Sequence, residues 1–99
     1  LYFSRSPIPF LRDIPIENWL QQHIYFKHIG MYAYRAETLL KIVNLEESTL
    51  EKMEKLEQLR WLENGHDIYV KETIYESKSI DTLEDYQYIL ENYSKYNNE

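Results

Sequence analysis

One imidazole and two phenols surround a single glycine in Lys27-His28-Ile29-Gly30-Met31-Tyr32-Ala33-Tyr34-Arg35. Read as a strand, the segment puts His28, Gly30, Tyr32 and Tyr34 on one face, and Ile29, Met31, Ala33 and Arg35 on the other. His28 and Tyr32 then stand roughly 13 Å apart, at about 3.3 Å per residue. Glycine within a strand marks a bulge, or a close approach by a ligand or another backbone. Two readings stand: a small polar molecule resting over Gly30, or a half-buried strand with aromatic packing. Glu57 is the second candidate. At 100° per residue it aligns with Leu50, Met53 and Trp61, so a carboxylate falls inside an apolar stripe. Burial of that charge is costly without a partner, which calls for a basic group, a hydroxyl or a ligand. The local alternative is a rim position or an ion pair with Arg60 at i+3.

These residues need elements to carry them. Residues 1–4 read as a short strand. Positions 5–15 read as a long loop, stiffened by Pro7, Pro9 and Pro15 and carrying Arg5 and Arg12. A helical turn over 16–22 precedes the strand 27–35, and a helix over 36–43 turns Leu39, Leu40 and Val43 inward. Ser48-Thr49-Leu50-Glu51 is a capping-box pattern that opens the strongest helix, running to Glu63, with Gly65 as its left-handed stop. Leu56, Leu59 and Leu62 widen its apolar surface almost all round. Residues 67–74 read as a strand and 79–81 as a connector. A last helix starts at Thr82-Leu83-Glu84-Asp85 and runs to about 93, before a frayed tail from Lys95 to Glu99. The order suits part of an α/β layer.

Ninety-nine residues suffice for one small domain. Ten tyrosines supply hydroxyls that want partners wherever they are buried. Without cysteine there is neither a disulfide framework nor a thiolate metal site, which fits a cytoplasmic protein. No apolar run approaches the roughly 20 residues of a membrane helix. A net charge of −6 argues against nonspecific nucleic-acid binding. The charge is uneven: residues 1–35 carry +2 and residues 36–99 carry −8. A cationic patch beside an acidic body suits a small anion, and acidic solvated helix faces account for the same pattern. The chain opens at Leu1 in a strand-like run and reads as the carboxyl-terminal part of something larger.

Four segments together resemble one enzyme family. They are Tyr2-Phe3-Ser4-Arg5-Ser6-Pro7-Ile8-Pro9, His28 to Arg35, Leu56-Glu57-Gln58-Leu59-Arg60 and Ile80-Asp81-Thr82-Leu83-Glu84-Asp85. In order and spacing they are similar to the carboxyl-terminal half of the 3-deoxy-manno-octulosonate cytidylyltransferases, or CMP-KDO synthetases. The resemblance implies an α/β fold, the carboxyl-terminal part of a nucleotide-diphospho-sugar transferase. Residues 1–99 would be the sugar-binding and dimerisation portion of a single domain. It implies a cytoplasmic homodimer that uses Mg²⁺ to join a cytidylyl group from CTP to an acidic eight-carbon sugar, for lipopolysaccharide or capsule synthesis.

By position, the resemblance assigns Arg12, His28, Tyr32, Glu57 and Gln58 to the sugar. A bidentate guanidinium at Arg12 suits a carboxylate. Glu57 accepts from hydroxyls, while Gln58 both donates and accepts. Asp81 matches the family's carboxyl-terminal metal-binding, catalytic aspartate, a hard ligand for Mg²⁺. Arg5 matches the motif as a loop-positioning residue. The family often has glycine shortly before that aspartate, where this chain has Glu76-Ser77-Lys78-Ser79-Ile80. The family's nucleotide-binding loop and its other metal aspartate lie outside these residues, so the chain alone is expected to lack catalytic competence. Rival readings are an 8-amino or sialic-acid-like substrate, and a noncatalytic self-associating module.

Overall fold

The capping box at Ser48 does start a helix, but that helix lasts six residues. The computed structural model describes residues 1–76 and 78–97. Its helices are α1 (Trp19–Gln22), α2 (Ala36–Ile42), α3 (Thr49–Glu54), α4 (Gln58–Glu63), α5 (Leu83–Glu91) and α6 (Tyr93–Tyr96). A 3₁₀ turn, Ile16–Asn18, leads into α1. The chain divides into two compact units, Leu1–Tyr69 and Val70–Glu99.

The expected continuous helix from 48 to 63 is instead a pair, α3 and α4, broken at Lys55. Lys55 is left-handed, with φ 54° and ψ 45°. That geometry costs a residue with a Cβ about 1–2 kcal/mol, so something must hold it. Arg5 does. Its Nε donates to the Glu54 carbonyl at 3.0 Å and its Nη2 to the Lys55 carbonyl at 2.8 Å. Both carbonyls sit at the end of α3, where the helix has no partners of its own to offer. The Glu54 carboxylate in turn accepts from the Ser4 hydroxyl at 2.7 Å and the Arg5 amide at 2.8 Å. A residue some fifty positions away therefore sets the break, which no helical periodicity can register.

Beyond the break, α4 packs back on α3. Arg60 joins them through a two-pronged bond to Glu51, Nε to Oε2 at 2.8 Å and Nη2 to Oε1 at 2.6 Å. Such forked guanidinium–carboxylate pairs combine strength with fixed orientation. The same Glu51 carboxylate accepts from the Ser48 amide at 3.1 Å, the return half of the capping box. Leu59 is fully buried, and Trp61 is buried beside it on α4. Gly65, at φ 78°, ends α4 as expected. Its amide reaches the Leu62 carbonyl and that of His66 reaches Trp61, the paired bonds of a Schellman stop.

The single apolar stripe disappears with the continuous helix. Met53 is 74% exposed, and Glu57 is an exposed residue preceding α4. In α2 the buried side chain is Ile42; Leu39, Leu40 and Val43, expected inward, are exposed. Loop 5–15 is irregular as expected. It is anchored by Trp19, whose Nε1 donates to the Ile14 carbonyl at 2.8 Å while Phe10 meets its ring edge-on and Tyr25 stacks on it.

The expected strands at 1–4, 27–35 and 67–74 do not form; no strand occurs among the described residues. A strand exists only by pairing its amides and carbonyls with a neighbour. None of these three segments pairs with another here. In the second unit, Thr82 opens α5 as expected, its hydroxyl accepting from the Asp85 amide. Helical geometry resumes in α6 as far as Tyr96, past the expected end near 93. The end of the expected frayed tail, residues 98 and 99, lies outside the described residues.

Two carboxylates of α3 should make the first unit acid-sensitive. The guanidinium of Arg60 holds the Glu51 carboxyl below its ordinary range, and the bonds from Arg5 and Ser4 do the same for Glu54. A depressed folded-state pKa contributes stability that is full above the unfolded value of about 4.3 and is lost as pH falls through the folded one. Thermal melts should therefore weaken progressively below about pH 5. Glu51→Gln should lower Tm by at least about 4 °C at pH 7 and flatten that acid dependence. An unchanged acid slope in the variant would show that the pair does not carry it.

Candidate functional site

Gly30 bends the histidine–tyrosine segment rather than extending it. The Met31 amide donates to the Ile29 carbonyl at 2.8 Å, a three-residue turn centred on the glycine. The bend brings the Tyr32 hydroxyl to 2.6 Å from His28 Nε2, in place of the 13 Å separation expected along a strand. The face read from the sequence still holds together. His28, Tyr32 and Tyr34 follow one another as a ring series, with centroids 5.6 and 6.3 Å apart.

Both ends of that series are anchored. Phe3 meets His28 edge-to-face at 5.1 Å, next to the Ser4–Arg5 clamp. Trp61 of α4 receives Tyr32 at 5.4 Å and Tyr34 at 5.5 Å, both nearly perpendicular. Edge-to-face contacts align a ring's positive rim with the negative face of its neighbour, which orients the rings as well as packing them. Burial, then neighbouring Tyr34 and Glu57, push the Tyr32 phenol above the ordinary tyrosine range. Burial and Glu57 do the same for Tyr34. Both phenols stay protonated at neutral pH.

Glu57 has no side-chain hydrogen bond or ion pair among the described residues, because Arg60, its local candidate partner, is committed to Glu51. Gln58 is buried, and its Nε2 has no acceptor among those residues. A buried donor left unpaired costs about 1–3 kcal/mol, so this amide is a group in want of an oxygen. His28 and Tyr32 thus meet as a bonded pair, while Glu57 and Gln58, adjacent in the chain at the start of α4, contribute an unpaired carboxylate and an orphaned amide among the described residues.

Arg12 lies apart from them, on the Trp19-anchored loop. Its side chain is 89% exposed and lies 3.8 Å from Asp13, its one ionic neighbour among the described residues. Asp81 belongs to the second unit, where Ser79 donates to its Oδ2 at 2.8 Å. Its amide donates to Asp85, whose carboxyl is held below its ordinary range, first by the Thr82 hydroxyl and then by that amide. No cluster of three or more histidine, aspartate or glutamate residues that could hold a metal occurs among the described residues. Asp81 is exposed, with one oxygen uncommitted, and so fits a single hard-cation ligand rather than a complete cage. Sequence reasoning had passed over Phe3, Ser4 and Glu54 as site-building residues; their partners lie far along the chain.

A family description, cytidylyltransferase, matches residues 1–74. This chain belongs to the cytidylyltransferase family. Among curated relatives, the 3-deoxy-manno-octulosonate cytidylyltransferases of Phocaeicola vulgatus and Bacteroides thetaiotaomicron are each 56% identical over 85 residues. That of Thermodesulfovibrio yellowstonii is 52% identical over 85 residues. The matched residues are 86% of this chain, but the chain spans only about a third of these cytidylyltransferases: 34% of the first two and 33% of the third. No solved structure gives a significant match.

A double-mutant cycle tests whether the aromatic series works as a unit in this chain. Trp61→Leu and Tyr32→Leu should show a coupling of about 0.5–1.5 kcal/mol in denaturant unfolding. Additivity within roughly 0.3 kcal/mol would mean that the rings pack independently.

Proposed function

We propose that these residues are the sugar-binding part of an enzyme that activates 3-deoxy-manno-octulosonate with CTP, giving CMP-KDO and pyrophosphate. What supports the reading is a bonded His28–Tyr32 pair and, at the start of α4, an unpaired Glu57 carboxylate next to an orphaned Gln58 amide, in a chain whose matched relatives are named 3-deoxy-manno-octulosonate cytidylyltransferases. Polyhydroxylated sugars present the acceptors and donors that such a set lacks. In the reaction, the anomeric hydroxyl oxygen bonds to the α-phosphorus of CTP as the bond to the β-phosphate breaks, and the hydroxyl proton is released. Glu57 accepts from sugar hydroxyls and Gln58 donates to sugar oxygens. His28 and Tyr32 fix the ring, and Arg12 meets the carboxylate from its exposed loop position. Holding the sugar in one orientation removes much of the entropic barrier to attack.

Asp81 would hold Mg²⁺ in this reading, and the ion would supply charge neutralisation for the phosphates. The whole enzyme has the α/β nucleotide-sugar-transferase fold, and works in the cytoplasm as a homodimer. Sheet partners for segments such as 27–35 then come from outside these residues. For membranes, the structure says only that no described helix is long and apolar enough to cross one.

Two substitutions in the full-length enzyme test the reading. Glu57→Gln should raise the sugar KM about tenfold or more while leaving Tm within a few degrees, since the residue is exposed and makes no structural pair. A sharp fall in Tm with an unmoved sugar KM would make it structural. Asp81→Asn keeps shape but removes charge, and should lower kcat far more than sugar affinity. Retention of activity within a few-fold at saturating Mg²⁺ would count against the metal role.

A further inference from the structure

Four hydrogen bonds tie Ser4 and Arg5 to the end of α3, and all four converge on Glu54 and Lys55. Two residues beyond lies Glu57, followed by the buried Gln58. We infer that Glu54 is a positioning residue for the Glu57–Gln58 pair, acting through Arg5 on the left-handed Lys55; this rests on the sugar-site reading above. The path is short and contiguous. The Glu54 carboxylate takes the Ser4 hydroxyl and the Arg5 amide, and so fixes the backbone from which the Arg5 side chain extends. That guanidinium then closes on the Glu54 and Lys55 carbonyls. With both carbonyls held, Lys55 keeps its positive φ, and α4 leaves in a direction that α3 alone would not give. Glu57 and Gln58 are the first residues set by that direction. The same segment carries Phe3, whose ring meets His28. Glu54 thus braces both the segment whose Phe3 meets His28 and the start of α4, while its own carboxylate is occupied.

Loss of the brace should affect sugar binding before anything else. Glutamine at position 54 keeps the shape, but its amide nitrogen cannot accept, so one of the two donors loses its partner. In the full-length enzyme, Glu54→Gln should raise the sugar KM about tenfold, with the CTP KM and kcat within about twofold. Ser4→Ala removes a single bond and should give a smaller rise of the same kind, which serves if the first variant folds poorly. The discriminating arm is Lys55→Gly in the Glu54→Gln background. Glycine takes positive φ without strain, so it should recover the sugar KM by at least about threefold. A structural role alone would give no such rescue. The inference is overturned if Glu54→Gln and Ser4→Ala leave the sugar KM within twofold, if both substrates' KM values rise together, or if glycine at 55 restores nothing. Glu57→Gln run in parallel separates the two levels. If it moves the sugar KM while position 54 does not, the positioning role fails and the sugar site stands; if neither moves it, the sugar site fails.

Discussion

The clamp between Arg5 and the end of α3 is the contact on which the first unit depends. It joins residues 49 and 50 positions apart, and closing a chain of that length costs about 3–4 kcal/mol before any constant term. No single surface hydrogen bond offsets such a cost. The clamp therefore needs its neighbours: Phe3 against His28, His28 against Tyr32, and Tyr32 and Tyr34 against Trp61. This aromatic series runs from the amino-terminal segment to α4, the same two parts that the clamp joins through α3. Polar and apolar links thus close one circuit. Cutting either should loosen the other.

Features with local causes were legible in the sequence. The stop at Gly65, the starts at Ser48 and Thr82, and the helix from Ala36 each follow from residues within one turn. The aromatic composition of the 28–34 face was legible for the same reason. What escaped reading has remote causes. Lys55 has no intrinsic preference for positive φ, and its geometry is set by a guanidinium from the other end of the unit. Without that break, periodicity joins α3 to α4 and aligns Glu57 with Met53, whereas both are exposed. Strand-like segments were equally misleading. Side-chain alternation shows that a segment can be a strand, but pairing requires a partner ladder, and none of the three finds one among the others.

The candidate site combines a stiff side with an open side. Ring contacts fix the Tyr32 and Tyr34 phenols, and burial together with Glu57 keeps them protonated. A protonated phenol at 2.6 Å from an imidazole nitrogen is locked in orientation but can still offer its remaining valence outward. Glu57 and the Gln58 amide are the unsatisfied members. A fully satisfied network is stable and closed, whereas an orphaned amide beside a free carboxylate retains binding capacity at some expense in stability. That division suits polyol recognition, where many weak, directional bonds must be made at once.

Glu51, Glu54 and Glu57 show how position decides the role of one residue type. They recur every three residues, and in an unbroken helix each would lie about 60° round from the last, in one acidic band. The structure gives them three different fates. Arg60 takes Glu51 in a forked pair that holds α4 against α3. Ser4 and Arg5 take Glu54 and anchor the amino-terminal segment. The break at Lys55 removes Glu57 from that band and leaves it unpaired. Glu51 consumes the Arg60 guanidinium, and backbone carbonyls consume that of Arg5, so neither pairs with Glu57. The cations that remain near it are Lys52 and Lys55, which line one surface cavity with Glu47, Glu51 and Glu57. Glu57 itself makes no hydrogen bond or ion pair among the described residues, so its carboxylate keeps the capacity to accept.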